Sequence, residues 1–181
     1  MNIIKTVLGV ALLSTIIAPG VRADEDKRSH EMLITSIRSV GVTVSINDPI
    51  CEERGANGMY VSRNKLLIVC QDNAKWSGDV VRWTSNDYDT LRHEAHHVLQ
   101  DCMNGELGDG LLADFFNEPD EYNEFITDTI GSKRARVIAE VYELNGASES
   151  IILNEIEAFA VAQSVSPGTI GDVVERVCGN K

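Results

Sequence analysis

Between Asp87 and Met103 no proline or glycine interrupts the chain, and the residues on either side are ones that start and stop helices: Ser85, Asn86 and Asp87 before, Asn104 and Gly105 after. The segment is expected to be one helix of about five turns. Three of the chain's 4 histidines fall inside it, in the string His93-Glu94-Ala95-His96-His97. Residues i and i+4 share a helix face, so the imidazoles of His93 and His97 can converge on one metal ion, with Glu94 beside them. His96 is turned by about 100° from His97, which places it at the surface or behind the ligands rather than on the metal.

The beginning of the chain points to export. Lys5 supplies a short positive region, Thr6 to Ala18 is apolar, Pro19 and Gly20 break the run, and Val21-Arg22-Ala23 ends in the small residue that cleavage requires. Residues 1–23 therefore read as a signal peptide, and residues 24–181 as a single secreted or periplasmic domain large enough to bury a core. No later segment is long and apolar enough for a stable membrane anchor. The formal net charge of −12 becomes more negative by two once Lys5 and Arg22 are removed. Such acidity disfavours nucleic acid and anionic membrane surfaces as partners.

All 4 cysteines, Cys51, Cys70, Cys102 and Cys178, follow the cleavage point. An even number in an exported chain favours disulfides over thiolate metal ligation. The preferred pairing joins Cys51 to Cys70, which bracket a hairpin-like segment, and Cys102 to Cys178, tying the end of the histidine helix to the C-terminal one.

The spacing of apolar residues predicts a helix over His30–Val40, with Met32, Leu33, Ile37 and Val40 on one side and Gly41 as its stop. Val42, Val44 and Ile46 then alternate with polar residues as in a half-buried strand, and Gly58–Ser62 and Leu66–Cys70 read as two more strands joined through Arg63-Asn64-Lys65. A small antiparallel sheet is thus expected ahead of the histidine helix. The glycine- and acid-rich stretches around Gly105–Gly110 and Asn117–Glu121 match no calcium loop and read as solvated loops. Four helices follow, over about Tyr122–Ile130, Lys133–Leu144, Ser148–Ser164 and Thr169–Val177. The fold class is α+β, mostly helical.

Catalytic zinc usually has three protein ligands, so two histidines leave one to find. A third histidine six residues beyond His97 is ruled out, because that position is Met103, and the glycine expected at the third position is Gln100. The segment Asn154-Glu155-Ile156-Glu157-Ala158-Phe159-Ala160 offers two carboxylates instead. On a helical wheel Glu155 falls among Ile151, Ile152, Ala158, Phe159 and Ala162, the middle of an apolar face, where a carboxylate is costly without a cation or hydrogen bonds. Glu157 projects beside Asn154, nearer the polar boundary. Glu155 is therefore the expected ligand, with Glu157 the alternative.

With these residues the chain resembles the small gluzincins, zinc metallopeptidases in which two motif histidines and a downstream glutamate, often in an E-x-E-A context, hold the metal. The resemblance covers the two helices, about a quarter of the mature chain, and implies a zincin-like fold and a peptide or protein substrate. It carries His93, His97 and Glu155 over as zinc ligands, one zinc per chain, and Glu94 as the general base that takes a proton from the attacking water. Two departures stand out. The Asp or Asn often found four residues after the third ligand is Phe159 here, and no downstream histidine is available as an oxyanion donor; Tyr142 and Tyr122 are the substitutes at hand. An edge of the sheet, with Leu66–Cys70 as the candidate strand, is expected to hold an extended substrate. The competing expectation is an inactive secreted binding or inhibitory protein on the same scaffold, against which the presence of Glu94 argues.

Overall fold

The structure is a computed structural model that describes residues 19–54, 56–116 and 118–179, without the side chains of residues 19–26 and Arg54. The segment read as a signal peptide lies for the most part outside the described residues. Helix α1 (Pro19–Ser39) leads into strand β1 (Thr43–Ile46), a single helical turn α2 (Cys51–Arg54), strands β2 (Gly58–Val61) and β3 (Leu66–Val69), and then helices α3 (Ser85–Met103), α4 (Pro119–Thr129), α5 (Gly131–Leu144), α6 (Glu149–Ser164) and α7 (Pro167–Cys178). The protein is α+β, mostly helical, with its sheet ahead of the histidine helix.

The sheet corrects the expectation of an antiparallel arrangement. Its order is β1-β3-β2, with β1 parallel to β3 and only β2 antiparallel. The reason lies at one end of the sheet, where β1 finishes, β3 finishes and β2 begins. There α2 carries the chain across the end of β3, and the Cys51–Cys70 disulfide fastens it in place. The central position of β3 explains why Leu67, Ile68 and Val69 are all buried: a strand covered on both sides reads as a continuous apolar run. Leu66–Cys70 is therefore not an edge, and β2 is.

Helix α3 begins at Ser85, two residues before Asp87, so none of the three expected N-caps is used. Thr84 is its N-cap, and Thr84 and Asp87 form a reciprocal capping box. Along α3, Leu91, Ala95, Val98 and Cys102 repeat at helical spacing and enter a core shared with Leu33 and Ile37 of α1, the sheet, and Ile170 and Val174 of α7. Met32, expected on that apolar side of α1, is exposed instead. A second, smaller core joins Ile126, Ile138, Ile156 and Ala160 from α4, α5 and α6. Helix α6 packs along α3 between the two. The Arg92 guanidinium locks that seam, donating to the Ala162 carbonyl at 2.6 Å and pairing with Asp89. Cys102–Cys178 closes the other end of α3 onto α7, so both expected disulfides are present.

Candidate metal centre and its cleft

On α3 the face that looks toward α6 carries His93, His97 and, one turn further, Gln100. Helix α6 starts at the N-cap Ser148, whose side chain accepts from the Ile151 amide, and its second turn brings Glu155 opposite the two histidines. The Nε2 atoms of His93 and His97 lie 3.1 Å apart. Glu155 Oε2 is 3.1 Å from His93 Nε2, and Glu155 Oε1 is 3.4 Å from His97 Nε2. The ligand atoms these three residues offer all lie within 4.8 Å of one another, a group that could hold a metal ion. Two imidazoles and a carboxylate match the donor set of a catalytic zinc site, and the separation of 62 positions between His93 and Glu155 is closed by α3–α6 packing alone.

The charges respond to this crowding. Burial disfavours protonation of His93 and lowers it to about 4, although its bond to Glu155 pulls the other way. For His97 burial acts in the same sense but is outweighed by Glu155, Glu94 and the Gln100 bond, and the group is pushed up to about 9. Glu155 is desolvated too, yet the two histidines hold it far below the usual carboxylate range. Glu94 is buried one step along α3, and desolvation lifts it to about 7 against the pull of His97.

Glu94 and His93 open into a cleft of about 920 Å³. One wall comes from α5 and its C-cap, through Arg134, Val141, Tyr142 and Asn145; the other comes from the first turns of α3, from Asn57 and from Gly58 at the start of β2. Of the two tyrosines named from the sequence, Tyr142 is at the site. Burial raises its hydroxyl, and Glu155 beside it raises it further, so it remains protonated. Tyr122 is elsewhere, donating to the Leu153 carbonyl at 3.2 Å. Gly58 permits the close approach of strand and helix: a Cβ there would lie 2.5 Å from Thr90 Cγ2 and 2.8 Å from the Ile68 carbonyl oxygen.

His96 takes the second of the two places the sequence allowed it, behind the ligands: it is 2 % exposed, with Nε2 donating to Glu157 Oε1 at 2.5 Å. One placement differs from the sequence reading. Glu157 is not near a polar boundary but 1 % exposed, receiving Gln100 Nε2 at 2.9 Å and the Phe115 amide at 3.3 Å as well. A helical wheel shows one apolar face, whereas α6 is enclosed on two sides, by α3 and by the segment around Leu112–Phe115. Gln100 was read only as the absence of a glycine. Its spacing of three from His97 and seven from His93 puts it on the ligand face, and that was the available signal.

The sequence profile of a domain of unknown function, DUF8637, matches residues 25–178. The chain belongs to this family. No curated protein and no solved structure matches this DUF8637 chain. Among its described residues no helix is long and apolar enough to cross a membrane, and the 4 cysteines are all paired.

Proposed function

We propose that this DUF8637 protein is an exported zinc metallopeptidase of gluzincin type. The observation that carries the reading is the convergence of His93, His97 and Glu155 on one point, beside a cleft that His93 and the buried carboxyl Glu94 line. Zinc is the ion favoured by a donor set of two imidazoles and one carboxylate, and it would supply a Lewis acid for a carbonyl and a water nucleophile at neutral pH.

The chain's own residues do the rest. Glu94, lifted to about 7, is a base matched to neutral pH: it takes the proton of the attacking water and returns it to the departing amine. The Tyr142 hydroxyl, kept protonated, donates a hydrogen bond to the oxygen that gains negative charge at the attacked carbonyl. The edge strand β2 offers backbone groups to an extended peptide entering past Asn57 and Gly58, a role that falls to β2 because β3 is central. Phe159 and Val141 give that peptide an apolar surface on the opposite wall.

The test combines zinc analysis after chelator dialysis and zinc return with a generic peptide-hydrolysis assay on the wild type and on Glu94→Gln. About one zinc per chain is expected, with hydrolysis restored by zinc in the wild type and lost in Glu94→Gln at unchanged zinc content. Absence of zinc uptake would overturn the metal centre. Zinc uptake without hydrolysis by the wild type would favour a binding protein on the same scaffold.

A further inference from the structure

His97 differs from His93 in what stands behind it. Its Nδ1 faces Gln100 Oε1 at 2.7 Å, whereas Nδ1 of His93 is the one buried side-chain nitrogen or oxygen without a hydrogen-bond partner among the described residues. The Gln100 amide cannot be turned around. Its Nε2 is surrounded by oxygens: Glu157 Oε1 at 2.9 Å, the Asn154 carbonyl at 3.3 Å and Asn154 Oδ1 at 3.4 Å. Reversing the amide would set its oxygen against all three and leave its NH₂ facing the ring. Gln100 Oε1 is thus held toward His97 and accepts a hydrogen there, so Nδ1 keeps its hydrogen and Nε2 is the nitrogen that offers a lone pair once the ring is neutral.

The Glu157 carboxylate is in turn held by three donors. It receives His96 Nε2 and Gln100 Nε2 on one oxygen and the Phe115 amide on the other. Glu157 lies outside the group of ligand atoms that could hold a metal ion, yet each of its three donors fixes its orientation and through it the orientation of Gln100.

We propose that Gln100 and Glu157 are positioning residues that hold His97 as its Nδ1–H tautomer, so that Glu157, two residues beyond the ligand Glu155, governs the metal centre without touching the metal. The proposal rests on the metal-centre reading above. It assigns the two glutamates of the E-x-E segment separate duties, Glu155 beside the two ligand histidines and Glu157 on His96 and Gln100.

The experiment measures zinc affinity by competition with a chromophoric chelator for the wild type, Gln100→Met, Glu157→Gln and the double variant. The ¹⁵N shifts of His97 are recorded in each zinc-saturated protein. Ser36→Ala, which removes a hydrogen bond from the α1–α7 contact far from the site, serves as the control for general loss of stability. Each single variant is expected to lose affinity by about 10- to 100-fold, the usual cost of removing such support. The double variant should lose little more than the worse single one, because both act through one chain, and the His97 Nδ1 signal should leave the N–H range only when that chain is broken. Single variants within about twofold of wild type, losses that simply multiply in the double, or an equal loss in Ser36→Ala would overturn the proposal. A wild type that binds no zinc would overturn instead the reading on which it rests.

Discussion

The ring of Phe159 stands against the imidazole of His93, with centroids 4.4 Å apart. Phe159 lies one helical turn beyond Glu155, at the position where the gluzincins of the proposed reading often carry an Asp or Asn, and an aromatic ring there offers no acceptor. The consequence is the unpartnered Nδ1 of His93. Replacing Phe159 with Asn should supply an acceptor and raise zinc affinity by up to about 10-fold, while lowering the thermal midpoint because the ring packs against the smaller core. A chelator-competition titration beside a melting curve measures both, and unchanged or weaker zinc binding would reject this account of His93.

Zinc binding should strengthen with pH. In the metal-free protein His97 titrates at about 9, so at neutral pH a proton must leave the ring before Nε2 can bind a cation. The same shift sets the stability of the metal-free protein. A raised histidine contributes fully below its unfolded value of 6.5 and loses that contribution as pH rises through 9. Glu155, depressed, contributes above 4.5 and loses its share only as pH falls toward its lower folded value. The zinc-induced rise in melting temperature should therefore grow steadily from about pH 6 to pH 9. A rise that is flat or shrinks over that interval would show that His97 does not surrender a proton.

Gly58 is required by contact. Gly58→Ala places a methyl against Thr90 and against the Ile68 backbone, and the strand must move off α3. We expect a loss of about 1–3 kcal/mol in urea unfolding, the ordinary cost of overpacking. The KM for peptides should also rise, since β2 forms part of the cleft wall. Wild-type stability and KM in Gly58→Ala would mean that strand and helix are not as close as the structure has them.

The two disulfides should differ in worth. Cys102–Cys178 spans 76 positions and Cys51–Cys70 spans 19. On the chain-entropy account the first stabilises by about 4 kcal/mol and the second by about 3 kcal/mol. Paired alanine replacements compared by denaturant unfolding should follow that order, and the reverse order would indicate that α2 and its crossing at the sheet end matter more than loop length. Peptide mapping without reductant should find no free thiol.

Much of this protein is decided over short stretches of sequence. The i, i+4 histidine pair on an uninterrupted helix, the caps and glycines that bound α3 to α7 to within a few residues, the hairpin of β2 and β3, and Glu155 as the glutamate facing the histidines are all consequences of local periodicity and turn chemistry, which operate over a few residues; α1, by contrast, starts at Pro19 and not at His30, and the turn α2 has no such signal. What required the tertiary structure involves a second element in every case. The central place of β3 depends on where α2 crosses the sheet end. The closeness of Gly58 to α3 depends on how strand and helix stack. Glu157 is buried because the Leu112–Phe115 segment covers a flank of α6 that a helical wheel leaves open to solvent. Gln100 acquires its meaning only when Asn154 and Glu157 close around its amide. Periodicity records which side chains share a face, but which faces are covered, and by what, is set by packing between residues far apart in the chain.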